Sequence, residues 1–211
     1  MKIAVLALSR MGDILLSYPL LDRLRELNPA SELHLIVPKS FETVGMGLDV
    51  DCVHTINNDR LILKAAERPP HLELYKEVQL ELNDLLNVEF DQVMNLGYDT
   101  LSSIISYMLR GQVVAGQYLD AQGQRRIATD WARMTMTSHL ARGLNPFHLA
   151  DLQKGFAGSH SSIVRPLHFS IPDEANHRAE SLLRESGVGN DGSPLIVIQV
   201  GASHPSKRWD E

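Results

Sequence analysis

Cys52 is the only cysteine in a chain of 211 residues, so no intramolecular disulfide and no cluster of cysteine metal ligands can form. A reducing compartment fits that usage. No stretch approaches the ~20 consecutive apolar residues of a membrane-spanning helix. The apolar opening, Met1 to Leu8, is short, runs at once into Arg10 and Asp13, and lacks a small-residue cleavage site, so it does not read as a signal peptide. These absences predict a soluble, cytoplasmic chain. Basic charge is also in deficit, with Lys+Arg at 20 against Asp+Glu at 26 and a net charge of −6, which argues against nucleic-acid binding through bulk charge. Internal repeats and low-complexity segments are missing too.

What is present is ordinary for a globular protein: 44% hydrophobic and 22% charged residues. The charge is uneven. Residues 40–99 hold 12 acids and 4 bases, whereas residues 100–169 hold 7 bases and 3 acids plus His139, His148, His160 and His168. The basic segment can meet an anionic ligand or simply be a solvated face. The length is large for one compact domain and small for two full α/β domains.

Continuous apolar runs at Lys2–Leu8, Glu32–Val37, Cys52–Ile56, Phe90–Leu96 and Gln112–Ala115 predict buried strands. Helical patterns follow from Gly12-Asp13 to Asn28-Pro29, with Pro19 as a kink or early-turn residue, over Leu72–Leu86, and over Leu101–Leu109. A further amphipathic stretch, Trp131–Ala157, breaks near Gly143–Pro146. Strands alternating with helices and no hairpin between them predict a Rossmann-like α/β fold with a parallel sheet covered on both faces. Gly155–Ser162, Arg165-Pro166 and Ile171-Pro172 read as a linker, followed by a helix to about Glu185 and an all-apolar buried strand, Leu195–Val200. The expected division is therefore 1–168 and 169–211.

Two places carry chemistry. The first strand ends in Ser9-Arg10-Met11-Gly12-Asp13, where a helix begins. Strand carboxyl ends form the ligand crevice of a parallel sheet, and free N–H groups at a helix start keep a nearby carboxylate ionised. Asp13 can then serve as a general base, or it can be a helix cap; the residues alone leave both open. With only Gly12 where three glycines are needed, this is no dinucleotide fingerprint, and a dehydrogenase is the weakest reading. The second place is Gly201-Ala202-Ser203-His204-Pro205-Ser206-Lys207-Arg208-Trp209. Gly201 permits close backbone approach, Ser203 offers a hydroxyl and Lys207 a mobile cation, which are the parts of a diphosphate site or of a solvated surface turn.

Taken together, Leu8-Ser9-Arg10-Met11-Gly12-Asp13-Ile14-Leu15-Leu16-Ser17-Tyr18-Pro19-Leu20 resembles the opening motif of the family 9 glycosyltransferases, the lipopolysaccharide heptosyltransferases. Phe90–Leu96 is similar to that family's mid-domain strand, Gly201-Ala202-Ser203 with Lys207-Arg208-Trp209 to its donor motif, and Asn145–Asp151 is a fainter echo. The resemblance implies a GT-B fold, two Rossmann-like domains facing a cleft. It also implies inverting transfer of a heptose from ADP-heptose to the lipid A inner core, with no obligatory metal and no cofactor. By position Asp13 matches the base. Ser9, Arg10, Met11 and Gly12, with Arg60 and Lys64 after the third strand, match the acceptor side. Gly201, Ala202, Ser203 and Lys207 match the donor side. Arg60 and Lys64 equally read as solvated helix bases balancing an acidic segment. Arg10 departs from the small residue usual before the Met-Gly-Asp triplet, which bears on acceptor identity.

The resemblance further implies peripheral contact with the inner face of the inner membrane and a glycolipid acceptor. With Glu211 just after the donor motif, it implies an acceptor domain plus the start of a donor domain, inactive as a transferase by itself. Two other readings stand beside it: a related transferase using another nucleotide sugar, and a non-catalytic module that binds a glycolipid or a protein.

Overall fold

The computed structural model describes residues 1–140, 143, 146–158, 166–188, 194–198 and 201. The chain divides into two compact units, Met1–Ser170 and Ile171–Glu211.

The first unit is built on a five-stranded parallel sheet in the order β3-β2-β1-β4-β5, from Lys2–Leu6 (β1), Glu32–Pro38 (β2), Cys52–Ile56 (β3), Gln92–Asn95 (β4) and Gln112–Ala115 (β5). This is the Rossmann-like sheet that the apolar runs predict. β1 is central, with Lys2 opposite Glu32 on one side and Ile3 opposite Gln92 on the other. Its alternate residues feed two cores. Ile3 and Val5 join Leu33, Leu35 and Val37 against the helix Tyr18–Leu27 (α2), on which Leu149–Lys154 (α9) packs. Ala4 and Leu6 join Ile36, Ile56, Val93 and Ile105 on the opposite face. Both faces are therefore dry, and the continuous apolar runs follow from that.

The helical pattern after β1 is two helices, Met11–Leu15 (α1) and α2, separated at Leu16-Ser17. The Ser17 hydroxyl donates to Ile14 O at 2.6 Å and closes the break. Pro19 falls in the first turn of α2, where its missing N–H costs no helical bond. The remaining helices are Glu42–Met46 (α3), Asn58–Ala66 (α4), His71–Glu81 (α5), Asn83–Leu86 (α6), Thr100–Met108 (α7) and Asp130–Leu140 (α8), with single 3-10 turns at Lys39–Phe41 and Gly155–Ala157. The break predicted near Gly143–Pro146 falls largely outside the described residues.

A hairpin contradicts the expectation that none would occur. Gln117–Leu119 (β6) and Arg125–Ile127 (β7) pair antiparallel around a turn with Gly123 at φ 73°. Asp120 Oδ1 accepts from the amides of Gln122 and Gln124, at 3.0 and 2.9 Å, and fixes the turn.

In the second unit Asp173–Glu185 (α10) is the helix predicted after Ile171-Pro172. The expected buried strand fails over its described part. Residues 195–198 form no strand, and Ile196, Val197 and Ile198 are 78, 83 and 77% exposed. A strand needs a neighbour to take its N–H and C=O groups, and among the described residues of this unit there is none.

Candidate functional site

The carboxyl ends of β1 and β4 lie side by side, with the Leu96 amide donating to Leu6 O at 3.0 Å. The segment leaving β1 is Ser9 to Asp13. Ser9, Arg10, Met11 and Gly12 are exposed and Asp13 is half-buried. Among the described residues, a Cβ built on Gly12 would meet nothing within 4 Å, so the loop borders open space there.

Asp13 is not the cap of α1. That position is Arg10, in extended conformation and without a side-chain capping bond. Asp13 stands in the first turn, where the partial positive charge of the helix start favours a carboxylate. The Ser9 hydroxyl donates to Asp13 Oδ2 at 2.6 Å.

Two amides brace this loop from behind. Asn58, the first residue of α4, donates Nδ2 to Leu8 O at 3.3 Å, and Gln153 of α9 donates Nε2 to Asp13 O at 3.4 Å. The other amide oxygens, Asn58 Oδ1 and Gln153 Oε1, are buried without a hydrogen-bond partner among the described residues. Neither residue stands out in the sequence, because the contacts join Leu8 to Asn58 and Asp13 to Gln153 across the fold. On the loop after β4 is half-buried Tyr98. Burial pushes its phenol up to about 12, so it is a neutral O–H group at physiological pH.

Arg60 and Lys64 lie on α4 as the i, i+4 spacing implies, and both face acids of α5. Arg60 pairs with Glu77 and lies 3.6 Å from Glu81, while Lys64 reaches Glu73 at 3.0 Å and Glu67 at 3.1 Å. Hydrogen bonds donated to Glu73 and Glu67 push the pKa of the Lys64 ammonium above its ordinary range. Of the residues expected on the donor side, Gly201 is described and exposed; Ala202, Ser203 and Lys207 lie outside the described residues.

A cleft of about 360 Å³ opens between α2 and α9, lined by Tyr18, Asp22, Arg23, His148, Asp151 and Lys154 among others. Among the described residues, one set of donor atoms converges closely enough for a metal: Glu32, His34 and Cys52. They lie at the amino ends of β2 and β3, away from Asp13.

Solved structures share this architecture. A family 9 glycosyl transferase from Veillonella parvula DSM 2008 superposes with a TM-score of 0.71 at 20% identity, over 99% of this chain and 56% of its own. The fold is that of the family 9 glycosyltransferases. The E. coli heptosyltransferase WaaC matches in complexes with ADP and with ADP-2-deoxy-2-fluoro heptose, at TM-scores of 0.58 and 0.59 and 16% identity. All of this chain is covered there, against 61 and 62% of WaaC. The chain thus spans well under two thirds of the glycosyltransferases it matches. No family model and no curated protein matches it. Among the described residues no helix is long and apolar enough to cross a membrane.

Proposed function

We propose that the chain forms the acceptor side of an inverting glycosyltransferase that moves a heptose from ADP-heptose to the lipopolysaccharide inner core. The observation that carries this reading is the Ser9–Asp13 pair at the carboxyl end of β1, bordering open space. The glycosyltransferase fold and the ADP-bound relatives favour a nucleotide-sugar donor. In this reading residues 1–168 are the acceptor domain and 169–211 open the donor domain.

Asp13 takes the proton of the acceptor hydroxyl as that oxygen bonds to the anomeric carbon. The bond from that carbon to the diphosphate breaks on the opposite face, which inverts the centre. Ser9 orients the carboxylate, while Arg10, Met11 and Gly12 border the acceptor. Arg60 and Lys64 contact its phosphates after exchanging their glutamate partners. Gly201, Ala202, Ser203 and Lys207 hold the departing diphosphate, with Lys207 offsetting its charge. No cofactor or metal enters the reaction. The acceptor, a lipid A glycolipid, is met at the inner face of the inner membrane.

The test is turnover of ADP-heptose by the gene product that carries this sequence, and by its Asp13→Asn variant. The variant loses 10²–10⁴-fold in kcat, about what a positioned base contributes. A loss of only a fewfold removes Asp13 from that role. Calorimetric titration with ADP, another nucleotide diphosphate and NAD separates the donor classes: tight NAD binding or no nucleotide binding overturns the proposal. Residues 1–211 alone are expected to show no turnover.

A further inference from the structure

Three strand residues with no part in the transfer chemistry converge at the other end of the sheet. Glu32 and His34 are two apart on β2, and Cys52 is the register partner of His34 on β3, so the pleat sends all three to one face. Glu32 Oε1 is 3.1 Å from His34 Nε2 and 3.7 Å from Cys52 Sγ, and the three atoms all lie within 4.8 Å of one another. A tetrahedral Zn²⁺ with bonds of about 2.0 Å to nitrogen and oxygen and about 2.3 Å to sulfur sets its ligands about 3.3–3.6 Å apart. The two distances from Glu32 Oε1, 3.1 and 3.7 Å, lie close to that spacing.

His34 is 3% exposed, and among the described residues its Nε2 makes no well-aligned hydrogen bond, although Glu32 Oε1 lies 3.1 Å away. The other ring nitrogen, Nδ1, lies 2.8 Å from Nε2 of His54. The His54 ring stacks on His34 with centroids 5.1 Å apart, and Phe90 packs edge-on at 5.1 Å. Ligating histidines are commonly anchored in this way through the second nitrogen. With Nδ1–H given to His54, Nε2 presents a bare, buried lone pair toward a carboxylate and a sulfur. A cation satisfies all three.

We propose that Glu32 Oε1, His34 Nε2 and the Cys52 thiolate bind one Zn²⁺, with water as the fourth ligand and His54 as a positioning residue. The thiol proton leaves to solvent, and the carboxylate and thiolate balance the charge of the ion. The Glu32 side chain is 43% exposed, which gives the ion a route in, and Lys2 Nζ lies 3.9 Å from its other oxygen. The ion fastens the start of β2 to the start of β3. A five-residue strand separates it from the Ser9–Asp13 loop by about 15 Å, so the proposal is independent of the transferase reading.

The test is titration of the chelator-treated 211-residue chain with Co²⁺, then displacement by Zn²⁺. One equivalent of Co²⁺ should bind with a sulfur-to-metal charge-transfer band that Zn²⁺ abolishes, and Zn²⁺ should raise Tm. Cys52→Ser removes the band and weakens Zn²⁺ binding at least tenfold. His54→Gln weakens binding 10–100-fold while keeping the band. Glu32→Gln, at a half-exposed position, serves where another variant fails to fold by circular dichroism. Absence of the band in the parent chain, or unchanged binding by folded Cys52→Ser or Glu32→Gln, overturns the proposal.

Discussion

The Ser9 hydroxyl donates a 2.6 Å hydrogen bond to Oδ2 of Asp13, four residues on. The bond fixes one carboxylate oxygen, while the open space at Gly12 leaves the approach to this loop clear. Removing the hydroxyl should disturb orientation, not the basic group itself. Ser9→Ala in the active gene product is expected to lower kcat about 10-fold, the worth of one hydrogen bond to a charged group. Asp13→Asn should cost far more. Ser9 is exposed and Asp13 only half-buried, so Tm should stay within a few degrees for either variant. A Ser9→Ala loss equal to that of Asp13→Asn would mean the hydroxyl takes part in proton transfer itself.

Gly116 joins β5 to the hairpin with φ 92°, and a Cβ there would overlap the carbonyl oxygen of Asn95. Asn95 is fully buried; it donates to Gln117 O at 2.8 Å and accepts from the Gly97 amide at 2.8 Å, tying the end of β4 to the hairpin. Gly116→Ala therefore combines left-handed backbone strain with overpacking, about 2–5 kcal/mol together. Denaturant unfolding should show a large fall in midpoint with little change in slope. Gly123→Ala, at φ 73° but with open space around it, should cost less.

The contrast between these two glycines shows what sequence reading reaches. The five parallel strands were legible because strands buried on both faces read as unbroken apolar runs, Lys2–Leu6 and Glu32–Pro38 above all. The hairpin was not: its strands are three residues each and carry Gln117, Arg125 and Arg126, so only Asp120 and Gly123 hint at a turn. Leu195–Ile198 misled in the opposite sense, since apolar content records a tendency to be buried and not whether a partner strand is there. At the candidate site Ser9 and Asp13 are close in sequence and visible by motif, whereas Asn58 and Gln153 arrive through the fold. The alternation of Glu32 with His34, and of Cys52 with His54, becomes meaningful only once the register sets Cys52 opposite His34.

Asp120 gives the hairpin a defined acid limit. Its hydrogen bond from Arg126, 2.8 Å at Oδ2, and those from the Gln124 and Gln122 amides hold its carboxyl below the ordinary value of 3.8. A depressed folded pKa means the unfolded turn takes up the proton first. The stabilisation is thus complete above about pH 4 and is lost as pH falls through the lowered value. Amide chemical shifts of Tyr118 and Arg126 should hold their native positions down to pH 3.8 and drift toward unfolded values below it. Asp120→Asn should flatten that acid transition. A hairpin that loosens instead between pH 5 and 7 would place its control in another group.

The apolar stretch 195–198 should govern how the 211-residue chain behaves at high concentration. Leu195 is 52% exposed, its three neighbours more so, and β-branched residues fill positions 196–198 without a charge. Segments of high β-propensity and low charge pair with copies of themselves when uncovered. Light scattering and sedimentation velocity should show concentration-dependent self-association. Ile196→Lys with Ile198→Lys should abolish it while the circular dichroism of the sheet unit is kept, because these side chains contribute no buried core there. If the doubly substituted chain associates as strongly as the parent, the cause lies elsewhere, and exposed Ile62 and Tyr75, on the groove between α4, α5 and α7, are the next residues to charge.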